Sequence, residues 1–184
     1  MRVISGSAKG RELKGPKAAK GNIRPTSDKV REALFDMLRE RIEGARVLDL
    51  YAGTGALGIE ALSRGAEHAD LVEADRAAQR LIRENLDRTG LTERAELRPR
   101  RVEQALGQLA GQYDVILADP PYADTSVVGL LPVIEPLLAP SGTLVLEHAS
   151  RASMPNESGG LRLWKRRRHG DTTLSLYHRT EQPE

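Results

Sequence analysis

The chain of 184 residues contains no cysteine and no long apolar run. Without cysteine it can form neither a disulfide nor a thiolate metal site, and it cannot use a cysteine nucleophile. No apolar stretch approaches the roughly 20 residues that span a bilayer, and the polar, basic N-terminus lacks the apolar core of a secretory signal. We therefore expect a cytoplasmic protein with no membrane segment, no metal and a single core domain.

The small formal net charge of +2 is distributed unevenly along the chain. Residues 1–31 contain nine Lys or Arg and only two acids, which gives this segment a charge of +7. A second basic cluster comprises Arg162 and residues 165–168, and the chain beyond residue 31 is net acidic. Such polarity indicates a polyanionic partner at one face. Charge alone leaves a solvated basic arm as the alternative.

Strand-like and helix-like segments alternate through the middle of the chain. Apolar runs at 46–50, 70–74, 114–118 and 142–147, with a weaker run at 94–98, alternate with helical patterns near 56–64, 76–88, 102–110 and 126–138. This alternation predicts a parallel sheet covered on both faces. The runs at 161–168 and 172–178 predict a terminal antiparallel hairpin. The predicted class is therefore α/β, with the outline of a Rossmann-like class I S-adenosylmethionine-dependent methyltransferase and a seven-stranded, mostly parallel sheet.

The N-terminal segment has a different pattern. Four glycines divide residues 1–25 into short strand-like pieces, which predicts a small β-hairpin extension. Residues 26–28 offer helix N-caps, and an amphipathic helix follows until Gly44. We therefore divide the chain into a basic N-terminal β extension, residues 1–25, and a methyltransferase domain, residues 26–184.

A glycine-rich loop, residues 49–58, follows the first strand of the predicted sheet. Its last six residues also fit the dinucleotide fingerprint, so a protein that binds NAD is the alternative. Asp49 would repel a pyrophosphate, whereas S-adenosylmethionine brings an ammonium and a sulfonium. Glu73 lies 20 residues after Gly53, at the end of the next strand, where a carboxylate can accept from ribose hydroxyls. This pattern favours S-adenosylmethionine as the cofactor.

The tetrapeptide Asp119-Pro120-Pro121-Tyr122 follows the strand at 114–118. The Asp119 carboxylate and the Pro120 carbonyl can accept from both hydrogens of an exocyclic amine, which aims the nitrogen lone pair at a sulfonium methyl group. The prolines fix the loop in advance of binding, and Tyr122 offers a face on which an extruded base can stack. This motif predicts methylation of an amine and makes these four residues the catalytic candidates. A plain turn that caps the next helix is the alternative.

Several segments together resemble one family, the RsmD methyltransferases, along residues 2 to about 178. They are residues 2–6, 9–11, 24–26, 31–35, 49–65, 119–122, 147–148 and 170–172. The resemblance implies transfer of a methyl group to the guanine N2 amine of 16S ribosomal RNA in the small ribosomal subunit or its assembly intermediate. Apart from the resemblance, we expect a monomer. The resemblance implies that the cofactor is bound by Asp49, Tyr51, Ala52, Gly53, Thr54, Gly55, Glu73, Ala74 and Val102. It also implies that the N-terminal extension binds RNA through Arg2, Lys9, Arg11, Lys14, Arg24 and Thr26.

One segment departs from the family pattern. Relatives often carry an Asp-Ala pair after the third strand, and its acid receives the adenine amine. Here the corresponding residues 100–103 are Arg-Arg-Val-Glu. Either Glu103 substitutes for that acid or backbone groups alone hold adenine.

Other functions and residue roles stay open at this stage. An amine methyltransferase that acts on DNA adenine or protein glutamine would share the tetrapeptide, although 184 residues leave little room for a DNA-recognition domain. A non-catalytic nucleotide- or RNA-binding module would share the glycine loop. For His148 a structural hydrogen bond is favoured over catalysis. For Trp164 packing on the sheet is favoured over stacking on RNA.

Overall fold

The computed structural model of the chain describes residues 1–16, 27–121 and 125–180. The helices are α1 Asp28–Met37, α2 Arg39–Ile42, α3 Ala56–Ser63, α4 Arg76–Thr89, α5 Val102–Leu106 and α6 Val127–Ile134, with short 3-10 helices at Thr92–Arg94 and Glu135–Leu137. The strands are β1 Arg46–Leu50, β2 His68–Val72, β3 Ala95–Arg98, β4 Tyr113–Ala118, β5 Leu138–Ala149, β6 Glu157–Ser158, β7 Leu161–His169 and β8 Thr172–Arg179.

The described strands form one sheet in the order β3-β2-β1-β4-β5-β8-β7-β6. Strands β1 to β5 run parallel, and β8 and β7 continue the sheet antiparallel. The predicted class I methyltransferase fold is confirmed. The sheet has eight strands rather than seven because the two-residue β6 pairs with the start of β7. A pairing this short leaves no periodic pattern in the sequence.

Apolar side chains cover both faces of the sheet. On one face α1, α3, α4 and the N-terminal segment pack against β1, β4, β5 and β8. On the other face α5 and α6 pack against the same strands. Strand order reverses between β1 and β4, so the carboxyl ends of these two strands open the crevice in which α/β sheets of this kind bind ligands.

The helix expected between residue 26 and Gly44 is divided into α1 and α2. Ser27 caps α1, because its Oγ accepts a hydrogen bond from the backbone N–H of Val30 at 3.3 Å. Leu38 ends α1 with φ −97° and ψ 3°, outside the helical region, and α2 begins at the next residue. Among the residues described, no helix has both the length and the apolar composition needed to cross a bilayer.

The N-terminal segment folds back on itself in residues 1–13. Arg2 and Glu12 form an antiparallel bridge, flanked by hydrogen bonds from Val3 N–H to the Arg11 carbonyl and from Leu13 N–H to the Met1 carbonyl. The apolar residues of this turn join the core that covers α3 and α4. The segment is therefore packed on the domain in its first 13 residues.

Polar side chains of α3 hold this segment in place. Glu60, fully buried, accepts hydrogen bonds from the backbone N–H groups of Ile4 at 2.8 Å and Ser5 at 3.0 Å. The Ser63 hydroxyl accepts from Ala8 N–H at 2.9 Å and donates to the Ser5 carbonyl at 2.6 Å. These bonds satisfy the backbone groups that the segment would otherwise bury unpaired.

Candidate active site

The glycine loop and the Asp-Pro segment lie side by side at the carboxyl edge of the sheet. Leu50, the last residue of β1, is paired with Ala118, the last residue of β4. The chain continues from these two residues into the glycine loop and into Asp119 and Pro120, respectively. The structure therefore brings together the two segments that the sequence analysis assigned to the cofactor and to the substrate amine.

Asp49 is a buried acid beneath the glycine loop. Its side chain points inward from β1, and Oδ2 accepts a hydrogen bond from Gly58 N–H at 2.9 Å. No described residue donates to Oδ1. Burial raises the pKa of Asp49 to about 8, opposed by the Gly58 hydrogen bond and reinforced by the negative charges of Asp119 and Glu73. Asp49 therefore presents a carboxyl oxygen that has no partner among the described residues to a ligand that approaches the loop.

Two glycines shape the turn from β1 into α3. Gly55 precedes the helix with φ +79°, a conformation that glycine adopts without strain. At Gly58 an added Cβ would lie 2.6 Å from Leu71 Cδ2 and 3.2 Å from Asp49 Oδ2. The glycine at this position lets α3 approach β2 closely and present its N–H to Asp49. Tyr51, with φ +60°, is the one non-glycine residue with positive φ in the described part of the chain, a departure typical of functional loops.

Glu73 links the end of β2 to the glycine loop. Its Oε2 accepts from Gly53 N–H at 2.8 Å, and its Oε1 accepts from Asp75 N–H at 2.7 Å. Each carboxylate oxygen has a further lone pair, so the side chain is oriented by the protein and still able to accept from ligand hydroxyls. Gln79 supports this turn by donating to the Glu73 and Ala74 carbonyls.

Asn85 joins the glycine loop to the N-terminal segment. Its Nδ2 donates to the carbonyls of Thr54 at 2.9 Å and Lys14 at 3.0 Å, and its Oδ1 accepts from Lys14 N–H at 2.8 Å. The side chain is fully buried. The sequence analysis did not identify Asn85, Glu60 or Ser63. The sequence does place these polar residues on the apolar faces of α3 and α4, which indicates buried polar contacts.

The remaining predicted cofactor and substrate residues lie at the same edge or outside the described residues. Asp119 is half-buried, Pro120 buried and Pro121 exposed, whereas Tyr122 is outside the described residues. Val102 begins α5 and is buried in the core, Ala74 is exposed in the turn after β2, and Glu103 is exposed.

The residues present fit an S-adenosylmethionine molecule. An ammonium or sulfonium suits the buried Asp49 carboxyl with its unused oxygen, and hydroxyl groups suit Glu73. Close approach of a ligand to backbone N–H groups suits a loop with two glycines at positive φ, Gly53 and Gly55. A dinucleotide pyrophosphate would face these acids and be repelled.

The N-terminal basic residues differ in their surroundings. Arg2, Lys9, Arg11 and Lys14 are exposed, and Arg24 and Thr26 lie outside the described residues. Arg11 donates to the Arg88 carbonyl at 2.8 Å, and Lys14 pairs with Glu84. Arg31 is fully buried and donates to the Arg2 carbonyl and Asp28. Arg31 therefore does not contribute to an exposed basic surface.

Two further groups of polar residues have structural contacts. His148 Nδ1 lies 2.9 Å from the Ala149 carbonyl and Nε2 lies 2.8 Å from Ser175 Oγ, which confirms the structural role favoured for it. Burial lowers the pKa of His148, so the ring is neutral. His68, Asp70 and Glu96 also approach one another. Arg98 and the Tyr113 hydroxyl occupy the Asp70 oxygens at 2.9 and 2.8 Å, so this group is an ion-pair network.

Comparison with known proteins identifies the family. A family model described as "Conserved hypothetical protein 95" matches residues 1–178. The Bacillus subtilis (strain 168) protein YlbH is 40% identical over 182 residues, which cover 96% of this chain and 98% of YlbH. Ribosomal RNA small subunit methyltransferase D of Escherichia coli (strain K12) is 32% identical over 186 residues, which cover 100% of this chain and 92% of that protein. The chain belongs to the RsmD family.

The solved structures agree with membership of the RsmD family. The Escherichia coli protein yhhF superposes with a TM-score of 0.87 at 32% identity, and the match covers 99% of each chain. The match includes the N-terminal segment, part of which contributes to the RsmD resemblance. Family and fold together imply an S-adenosylmethionine-dependent methyltransferase.

Proposed function

We propose that this protein transfers a methyl group from S-adenosylmethionine to the exocyclic N2 amine of a guanine in 16S ribosomal RNA. The observation that carries the proposal is the pairing of Leu50 with Ala118, which sets the Asp49 loop beside Asp119 and Pro120. Methylation of an amine requires that the methyl donor and the amine lie side by side, and the glycine loop and the segment that begins at Asp119 would hold one each. The ribosomal target is supported by the relative named Ribosomal RNA small subunit methyltransferase D.

The chemistry assigned to the protein is positioning. S-adenosylmethionine supplies the electrophilic methyl group. The Asp119 carboxylate and the Pro120 carbonyl accept hydrogen bonds from the two N–H groups of the guanine amine. These bonds turn the nitrogen lone pair toward the cofactor pocket. Pro120 and Pro121 fix the backbone before RNA binds, and Tyr122 stacks on the extruded base. The nitrogen can lose its proton after transfer, so no strong general base is needed.

The exposed basic residues of the N-terminal extension are proposed to contact RNA phosphates. Arg2, Lys9, Arg11 and Lys14 are exposed on a segment that the domain holds by backbone hydrogen bonds to Glu60, Ser63 and Asn85. Arg24 and Thr26 are proposed to contact RNA as well. The RNA-binding extension is proposed to end at residue 25, where the methyltransferase domain begins. Binding that depends on phosphate contacts weakens steeply with salt.

The test compares the natural protein with Asp119→Asn on small ribosomal subunits that lack the modification. Subunits are incubated with methyl-labelled S-adenosylmethionine, and the RNA is digested to nucleosides. We expect label in N2-methylguanosine, and about a hundredfold slower transfer by Asp119→Asn because one oriented acceptor has become an amide. The affinity for S-adenosylhomocysteine should be nearly unchanged in this variant.

The matched control is Asp114→Asn at the opposite end of β4. Asp114 is exposed and accepts from Arg46 N–H through Oδ2, far from the carboxyl edge, so this variant should transfer at the natural rate. Label in another nucleoside would refute the guanine target. Label in glutamine of a ribosomal protein, with none in the RNA, would replace RNA by protein as the substrate.

A further inference from the structure

The C-terminal hairpin exposes an aromatic side chain among cations. Trp164 is the only tryptophan of the chain, and its side chain is 49% exposed at the irregularity in register between Leu163 and Lys165 of β7. The expectation that it packs on the sheet is met in part, because the ring stacks on His178 of β8. The ring centroids are 4.6 Å apart and the interplanar angle is 17°.

Positive charge surrounds the indole. The Arg41 guanidinium lies 5.9 Å and the Lys165 ammonium 5.4 Å from the ring centroid. Arg167 is exposed two residues further along β7. Lys165 and Arg167 face the same side of the sheet, because their partners on β8, Leu176 and Leu174, belong to the same core. We name Trp164, His178, Arg41, Lys165 and Arg167 the hairpin platform.

Protection of a sheet edge explains only part of this arrangement. Most of β7 is an edge strand, because β6 pairs with its first two residues alone, and cations on such an edge discourage pairing with another chain. Arg166 serves a local purpose on the opposite side, where it donates to Ser175 Oγ and the Met154 carbonyl. An exposed tryptophan works against edge protection, so it requires a separate reason.

The hairpin platform lies within reach of the same substrate as the active site. Its side of the sheet is the one that carries the N-terminal segment. From β4 to β7 there are three strand spacings, and Trp164 is about three residues below the level of Asp119. With spacings of ~4.8 Å and a rise of ~3.3 Å per residue, the two residues are roughly 17 Å apart. A single strand of RNA that enters the active site can span this distance.

We propose that the hairpin platform binds a single-stranded segment of the RNA substrate, with one unpaired base stacked on Trp164 and the neighbouring phosphates paired with Lys165, Arg167 and Arg41. Aromatic rings beside cations are the recurrent means of binding single-stranded nucleic acid. Burial and the charge of Arg41 lower the pKa of His178, which favours the neutral form of the ring stacked on the indole. The inference rests on the proposed function in that RNA is the substrate.

The platform is too small and too charged for a protein partner. In the described residues Trp164 and Val133 are the exposed large hydrophobic side chains, and a protein interface generally needs a contiguous apolar patch. In single-stranded RNA the phosphates can pair with the cations and an unpaired base can stack on the ring.

The experiment uses the tryptophan itself as the probe. The full-length protein is titrated with a single-stranded oligoadenylate 12-mer carrying a terminal fluorophore, and intrinsic fluorescence and anisotropy are followed together. We expect quenching of Trp164 fluorescence that parallels the anisotropy curve. A 12-bp duplex RNA of the same length should bind without comparable quenching, because its bases are already stacked.

Variants then measure the contribution of stacking. Trp164→Ala should weaken binding of the 12-mer about fivefold to a hundredfold, and Trp164→Phe should recover most of it. Val133→Ala, equally exposed at 48% on α6, should have no effect. S-adenosylhomocysteine affinity should be the same in all three variants, which shows that each is folded.

Two results would overturn the hairpin platform. One is saturating anisotropy with unchanged tryptophan fluorescence, which would place the RNA elsewhere. The other is absence of 12-mer binding to the natural protein. Neither result bears on transfer of label to ribosomal RNA, so the failure of this inference is distinguishable from the failure of the proposed function.

Discussion

At the scale of one residue, the protonation of Asp49 links ligand binding to pH. The carboxyl group is buried among other acids, and its pKa of about 8 keeps it protonated at neutral pH. A bound cation favours the carboxylate, so binding of a cationic ligand releases a proton wherever the pH is below that value. The affinity should therefore rise with pH and level off above about pH 8.

We expect the pH dependence of ligand affinity to differ between the natural protein and Asp49→Asn. The affinity for S-adenosylhomocysteine should increase between pH 6 and pH 8 more steeply in the natural protein than in the variant. The amine of the ligand titrates near the same pH, but it does so equally for both proteins. Isothermal titration calorimetry in buffers of different ionisation enthalpy would count the proton. Equal pH profiles for the two proteins would rule out a proton on Asp49.

At the scale of elements, α3 depends on the absence of a side chain at Gly58. Gly58→Ala would push a methyl group to 2.6 Å from Leu71 Cδ2 and disturb the bond to Asp49. We expect a loss of about 1–3 kcal/mol in the free energy of unfolding, together with weaker binding of S-adenosylhomocysteine. Urea denaturation measures the first effect and calorimetry the second.

Gly129 provides the matched control for this substitution. It also lies inside a helix, α6, but no atom would be within 4 Å of its added Cβ. Gly129→Ala should stabilise the protein by about 0.5–1 kcal/mol, because alanine loses less backbone entropy in a helix. If Gly58→Ala behaved in the same way, α3 would not be held as closely as the structure indicates.

Most elements could be predicted from the sequence because their apolar periodicity is strong. The predicted strand at 46–50 coincides with β1, and the helix predicted at 76–88 differs from α4 by one residue. The break at Leu38 and the two-residue β6 could not be predicted, since a single dihedral change and a two-residue pairing leave no pattern. The positions of Asp49 and Glu73 beside the glycine loop were predicted from motifs, and their roles in cofactor binding stay predictions.

Other parts of the site depend on tertiary contacts. The protonated state of Asp49 follows from burial, and the exposure of Trp164 follows from where β7 stands at the sheet edge. The role of Asn85 depends on two segments that are 31 and 71 residues away along the chain.

At the scale of the whole molecule, Asn85 connects the glycine loop to the N-terminal segment. Its amide group contacts Thr54 in the glycine loop and Lys14 at the end of the packed N-terminal segment. If the loop binds the cofactor and the extension binds RNA, as proposed, a ligand that orders one of them also orders the other through this amide. The cofactor should therefore tighten RNA binding, and RNA should tighten cofactor binding by the same factor, because such linkage is reciprocal.

This reciprocity can be measured with four dissociation constants. We expect S-adenosylhomocysteine to bind several-fold more tightly in the presence of saturating ribosomal RNA, and RNA to bind more tightly by the same factor with the cofactor product present. Asn85→Ala should bring both factors toward one. Thr92→Ala is the control. It removes an exposed hydroxyl that lies beyond the end of α4 and donates to Asp87, and it should leave both factors unchanged. A persistent factor in Asn85→Ala would place the linkage in another contact.

On the proposed function, the same contacts of Asn85 bear on the release of products. After transfer of the methyl group, dissociation of S-adenosylhomocysteine would weaken the binding of the methylated RNA, and dissociation of the RNA would weaken the binding of S-adenosylhomocysteine. The ligand that dissociates faster would then begin the release of both. We therefore expect the residence time of the protein on RNA to depend on the cellular ratio of S-adenosylmethionine to S-adenosylhomocysteine.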